Sequence, residues 1–94
     1  MYNGMKYAVV IYQNFDADCP VYLFDDYEKA NKYLHDIWEN CYNIELAESI
    51  VDIDEKETYH EDDFAQIKWV DGEWMHFILT ATSEPMKIGG KSYK

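Results

Sequence analysis

Carboxylates outnumber every other reactive group in this chain. Residues 45–63 hold nine Asp or Glu and one Lys, a local net charge of −8. Within that stretch Asp52-x-Asp54 opens like a calcium-binding loop. Such a loop needs Gly at its sixth position for a sharp turn and Glu at its twelfth. Those places hold Glu57 and Asp63, so a dedicated calcium site is not expected. His60-Glu61-Asp62-Asp63 has no second His or Cys at ligand spacing and reads as a polar turn before a strand. No pattern implies a metal or another cofactor.

The candidate nucleophiles are Cys19, Cys41, Ser49, Ser83 and Ser92. None sits in a strained elbow or a Gly-rich turn. Cys19 lies in an acidic loop, the wrong setting for a thiolate nucleophile. Cys41 falls on the apolar side of a helix, where a thiol acts as a small hydrophobe. His35 is expected on the wet side of that helix. His76 is expected in a strand, packed or at a sheet edge, with a pH-sensing role as the sharper alternative. Among so many acids, a pair suited to acid–base work can always be picked, so spacing singles none out. The expectation is a protein without enzymatic activity.

A row of carboxylates fixed on a rigid body can imitate a row of phosphates. If Asp52 and Asp54 lie on an extended segment, their side chains point the same way, roughly 6.6 Å apart. With Glu55, Glu57, Glu61, Asp62 and Asp63 they form one candidate surface for a basic partner. Ile50, Val51, Ile53 and Tyr59 lie among these acids and tether the segment to the body.

The elements that position these groups follow from periodicity. Residues 6–13 are β-branched and aromatic on both faces, as in an interior strand. Asp16, Asp18 and Pro20 break the chain, and residues 21–24 form a second strand antiparallel to the first. Asp25 is the candidate N-cap of a helix, with Glu28 at capping-box spacing. Tyr27, Ala30, Leu34, Ile37 and Cys41 recur at helical steps and give that helix one buried face. Glu45 and Glu48 would fall on the same stripe, so the helix should end or bend near Asn43. Asp71-Gly72 reads as a two-residue type I′ turn joining two further strands over 64–82. That register places Trp69 opposite Trp74, Ile67 opposite His76 and Ala65 opposite Ile78.

The order ββ-α-ββ predicts an α+β, two-layer domain: about four antiparallel strands with one long amphipathic helix on one face. It spans residues 1–94 as a single domain. Residues 1–5 are a loose leader, 6–84 the core with an acidic connector over 44–63, and 85–94 a flexible tail. One helix covers one face only. The other face should keep aromatic residues bare, and Tyr22, Phe24, Trp69 and Trp74 are the candidates for a contact surface there.

The 94 residues carry 19 acids, 8 Lys and no Arg, for a net charge of −11. Such a surface repels nucleic acid and anionic membranes. The longest apolar run, residues 7–12, is far short of the roughly 20 residues a membrane span needs. No basic segment precedes it to make a secretory signal. The two cysteines form no CxxC pair and are expected reduced, in the cytoplasm. The reading is a small acidic protein–protein binding module, with a basic protein as the natural partner and a homodimer through the open sheet face as another. One alternative is a nucleic-acid-mimicking inhibitor of a basic host protein, of the phage or mobile-element counter-defence kind. A ligand carrier or enzyme with a pocket between helix and sheet is the alternative from a different class.

Overall fold

The computed structural model describes residues 6–82. The leader at 1–5 and the tail at 85–94 lie outside the described residues. In chain order the elements are strands β1 (Lys6–Gln13) and β2 (Val21–Phe24), helix α1 (Tyr27–Glu48), a 3-10 turn (Glu55–Glu57), and strands β3 (Tyr59–His60), β4 (Phe64–Lys68) and β5 (Trp74–Thr82). The strands form one antiparallel sheet in the order β2-β1-β5-β4-β3, with α1 packed on one face. The expected α+β class therefore holds, with five strands rather than four. The extra strand is β3. It is two residues long and flanked by acids, too short to show a period-2 pattern. Its pairing of Tyr59 with Gln66 and His60 with Ala65 comes from tertiary contact.

The core lies between α1 and the covered face of the sheet. Val9, Ile67, Phe77, Ala65, Ala30 and Leu34 are sealed from solvent, with Ile11, Trp69 and Leu79 nearly so. Burying a side chain such as Phe77, Leu34, Ile67 or Val9 contributes roughly 1.5–3 kcal/mol. Helix α1 starts one residue later than expected. Asp26, not Asp25, adopts the extended N-cap backbone, and its Oδ1 accepts from the Glu28 N–H at 2.7 Å. The helix also runs through Asn43 to Glu48. Glu45, Leu46, Ala47 and Glu48 are good helix formers, and nothing forces the backbone to leave the helix at Asn43. Those turns leave the core, so Ile44 and Leu46 stay exposed. Ser49 ends the helix, and its hydroxyl bonds the backbone of Val51.

The β4–β5 connection corrects the expected register. A type I′ turn needs positive φ at both central residues. Gly72, at φ 99°, is the only described residue with positive φ. The chain instead makes a three-residue loop. The Gly72 N–H donates to the Trp69 carbonyl at 3.0 Å, and the Trp69 N–H donates to the Glu73 carbonyl at 2.8 Å. Asp71 Oδ1 steadies the loop by accepting from the Glu73 N–H at 3.0 Å. Strand pairing moves by one residue, to Ile67 with Met75, Gln66 with His76 and Phe64 with Ile78. A one-residue slip sends side chains to opposite faces. Trp69 is thus buried beneath α1 while Trp74 lies on the other face, and the expected Trp69–Trp74 pair does not exist.

An added Cβ at Gly72 would meet nothing within 4 Å. Gly72→Ala should therefore cost only backbone strain, about 1–2 kcal/mol in urea unfolding, and Gly72→Asn less. An Ala variant as stable as the parent would mean that the loop does not use this conformation.

Candidate functional site

Two surfaces stand out, and each is built by a simple constraint. The first is the sheet face that α1 leaves uncovered. Pairing registers place Val10 and Tyr12 of β1, Val21 and Leu23 of β2, Phe64 and Lys68 of β4, and Trp74, His76 and Ile78 of β5 on that face. Val21 is 45% and Leu23 55% exposed. His76 is the hub of an aromatic cluster. It stacks on Trp74 with ring centroids 4.1 Å apart, and meets Phe64 at 5.1 Å and Tyr12 at 5.7 Å edge-on.

Charge is segregated around this face. Among the described residues no Asp or Glu lies in any strand. Asp16 and Asp18 in the β1–β2 loop and Asp71 and Glu73 in the β4–β5 loop gather at one end of the sheet. Asn14 clips these loops together, donating to the Gly72 carbonyl at 3.1 Å and accepting from the Trp74 N–H at 2.9 Å. Asp25 and Asp26 after β2, with Glu61, Asp62 and Asp63 between β3 and β4, occupy the other end. The result is an apolar panel between two anionic ends.

The second surface is the acidic connector, which is ordered by neutral donors rather than by cations. Tyr42 donates to both carboxylate oxygens of Glu55 at 2.9 and 3.0 Å, and Tyr27 to Asp63 at 2.7 Å. Each bond pushes its phenol above the ordinary tyrosine value, mainly because the carboxylate holds the proton. Both phenols stay protonated and keep donating at neutral pH. Asn31 donates to the Asp62 carbonyl at 2.6 Å. His35 Nε2 lies 3.0 Å from the Glu61 carbonyl, and the His35 and His60 rings sit 4.8 Å apart. His35 is therefore half-buried against the connector, not on open helix surface. Trp38 stacks on Tyr42 and donates its indole N–H to the Gln66 carbonyl at 3.0 Å. The ion pair of Lys32 with Asp36 lies on the helix and leaves the connector alone.

Several expected site residues belong elsewhere. Tyr22 and Phe24 lie on the covered face and pack on Tyr33 at 5.1 and 5.3 Å. Trp69 is core, touched by Phe15 from the β1–β2 loop. Of the four aromatic candidates, only Trp74 is on the open face. Asp52 and Asp54 flank Ile53 on a short extended stretch, bridged antiparallel to Trp69, and Asp54 turns its carboxylate to the Lys56 N–H to start the 3-10 turn that ends it. Asp52, Glu55, Glu57, Glu61, Asp62 and Asp63 are exposed. A two-residue turn would put Phe64 on the face opposite Trp74 and His76, which hid the cluster they form with Tyr12. With the Gly72 loop in place, alternation alone assembles them.

Cys19 is exposed and Cys41 half-buried, and neither is in a disulfide. Burial, then the nearby Glu45 charge, raises the Cys41 thiol above its ordinary value, so it stays protonated at neutral pH. Among the described residues, no three His, Cys, Asp or Glu side chains converge on a metal position. A depression of about 380 Å³ lies by Lys6, Leu23, Phe24 and Asp25, and another of about 270 Å³ by Asp36, Glu39, Asn40 and Asn43. Both sit at the surface, not between helix and sheet. No helix among the described residues is long and apolar enough to cross a membrane. No family model, curated protein or solved structure matches this chain.

Burial lowers His76 below the ordinary histidine value. The folded chain thus holds this proton less tightly than the unfolded one. Stability from neutral His76 is complete above the unfolded value and is lost as pH falls below it. Thermal unfolding followed from about pH 7.5 to 5.5, above most carboxylate titration, should show a smaller loss for His76→Phe than for the parent chain. Equal losses would remove His76 as the cause. Removing two connector anchors together, Asn31→Ala with Tyr42→Phe, should speed amide exchange over residues 55–62 and leave β1 and β5 unchanged.

Proposed function

We propose that this chain is a non-enzymatic protein-binding module whose contact surface is the uncovered sheet face. The supporting observation is the aromatic cluster of Tyr12, Phe64, Trp74 and His76, which faces solvent together with Val10, Val21, Leu23 and Ile78. Apolar patches of this kind on soluble domains mark interaction sites. Trp and Tyr at the centre of such a panel are the usual carriers of binding energy. The anionic ends favour a partner whose apolar centre is bordered by Lys or Arg, and they repel nucleic acid. Direct membrane binding has no support in this charge. The free thiols of Cys19 and Cys41 suit a reducing compartment, the cytoplasm.

The second reading is mimicry of nucleic acid by the acidic connector, toward a basic host protein. Its support is that α1 pins the connector: Tyr42 and Tyr27 hold the Glu55 and Asp63 carboxylates, and Asn31 and His35 meet the Asp62 and Glu61 backbone carbonyls. Asp54, spent on the 3-10 turn, contributes less to that surface than expected.

Affinity capture from lysate, at low and high salt, separates the two. Under the sheet-face reading, Tyr12→Lys with Trp74→Lys abolishes capture, and salt weakens it only modestly. Under mimicry, capture falls steeply with salt and disappears when Asp52, Glu55 and Glu57 become Asn or Gln, while the sheet-face variant still binds. Turnover of a small molecule lost on neither change would overturn both.

A further inference from the structure

Building on the sheet-face reading above, we infer that the open face holds its partner only while His76 is neutral, so that one proton on this ring releases the partner.

His76 occupies the middle of that face. Its strand, β5, is the central one of the five, with β1 on one side and β4 on the other. Its cross-strand neighbours are Tyr12 of β1 and Gln66 of β4. The ring is half-buried. It stacks on Trp74 with the two planes 23° apart, and Phe64 and Tyr12 close in edge-on. Among the described residues no hydrogen bond reaches its nitrogens, so ring contacts alone hold it. A partner seated on Trp74 and Tyr12 must therefore cover His76 as well.

The surroundings give an imidazolium nothing to pair with. Strand β1 contributes Val10 and the neutral phenol of Tyr12, with Lys6 at its far end. Strand β4 contributes Phe64, Gln66 and Lys68, and Lys68 lies opposite Trp74. The Gln66 amide is neutral and donates to the Glu57 carbonyl at 2.6 Å. Strand β3 adds the phenol of Tyr59, which packs on Phe64. On β5 itself the neighbours are Trp74, Ile78 and Thr80. The charged side chains on the strands of this face are thus Lys6 and Lys68, both cations. Asp71 and Glu73 stand in the loop beyond Trp74. Burial alone lowers the His76 value, and these two carboxylates do not offset it.

Covering a charged group without a counter-ion is costly, whereas a neutral imidazole packs among aromatic rings at little cost. A partner bordered by Lys or Arg brings no anion to the centre of the panel. Docking and protonation of His76 therefore exclude one another. The sign follows from linkage. Affinity is full above the His76 value of the free folded chain and is lost as pH falls through it, toward about tenfold per pH unit for one competing proton. By reciprocity, docking pushes the His76 value further down.

Nile red, an uncharged apolar dye, is the probe, because its own charge does not change with pH. Its affinity for the full chain is measured by fluorescence from pH 7.5 to 5.5. The midpoints of the three histidines are followed by NMR with and without saturating dye. Affinity should fall toward the acid end in the parent chain and stay level in His76→Phe, and Trp74→Lys should abolish binding. Bound dye should lower the His76 midpoint and leave those of His35 and His60, which lie against the connector, where they were. Dye that binds equally well across this range, or that leaves the His76 midpoint unmoved or raised, overturns the inference while the sheet-face reading stands. No binding, or binding that survives Trp74→Lys, overturns that reading and the inference with it. The midpoints in the parent chain decide the matter even if His76→Phe fails to fold.

Discussion

A sheet has two faces, and this chain has one long helix to cover them. Each of the longer interior strands β1 and β5 carries apolar side chains on both faces. Val9, Ile11, Phe77 and Leu79 are sealed under α1, while Val10, Tyr12, Trp74 and Ile78 face the other way. Hydrophobic burial on the helix side supplies the stability. The same sequence alternation then obliges the opposite side to present aromatic surface. Exclusion of carboxylates from the strands follows from the same economy of space: interior strands tolerate few unpaired charges. The acids are displaced to the loops, the connector and the outer helix surface, which leaves an apolar panel between anionic ends.

The turn at Gly72 determines which aromatic residues occupy that panel. With a three-residue loop, Trp69 becomes a core residue and Trp74 a surface one. With a two-residue turn the alternation of β4 relative to β5 would be reversed. The make-up of the open face thus depends on one glycine at positive φ as much as on the strands themselves.

Much of this architecture was legible in the residue pattern. Strands β1 and β2 and the amphipathic stripe of α1 around Ala30 and Leu34 follow from periodicity alone. Three features did not, each for a physical reason. Asp-Gly is compatible with more than one hairpin loop, and only backbone hydrogen bonding distinguishes them. The helix continues past Asn43 because propensity, not burial, sustains its last turns. Strand β3 and the ordering of the connector depend on Trp38, Tyr42, Asn31 and His35 reaching across from α1, contacts between residues 13 to 31 positions apart. On the candidate surfaces, the acidic cluster was visible as composition. Its anchoring, and the aromatic hub at His76, required the fold.

One sheet face is apolar, aromatic and open, with Trp74 on it and Trp69 beneath the helix. Hydroxyl-radical footprinting of the purified chain, read residue by residue by mass spectrometry, tests this most directly. Strong labelling of Trp74, Tyr12 and Leu23 is expected, with Trp69, Phe77 and Ile67 protected. Equal labelling of Trp69 and Trp74, or protection of Trp74 with Tyr12 in the free chain, would contradict it.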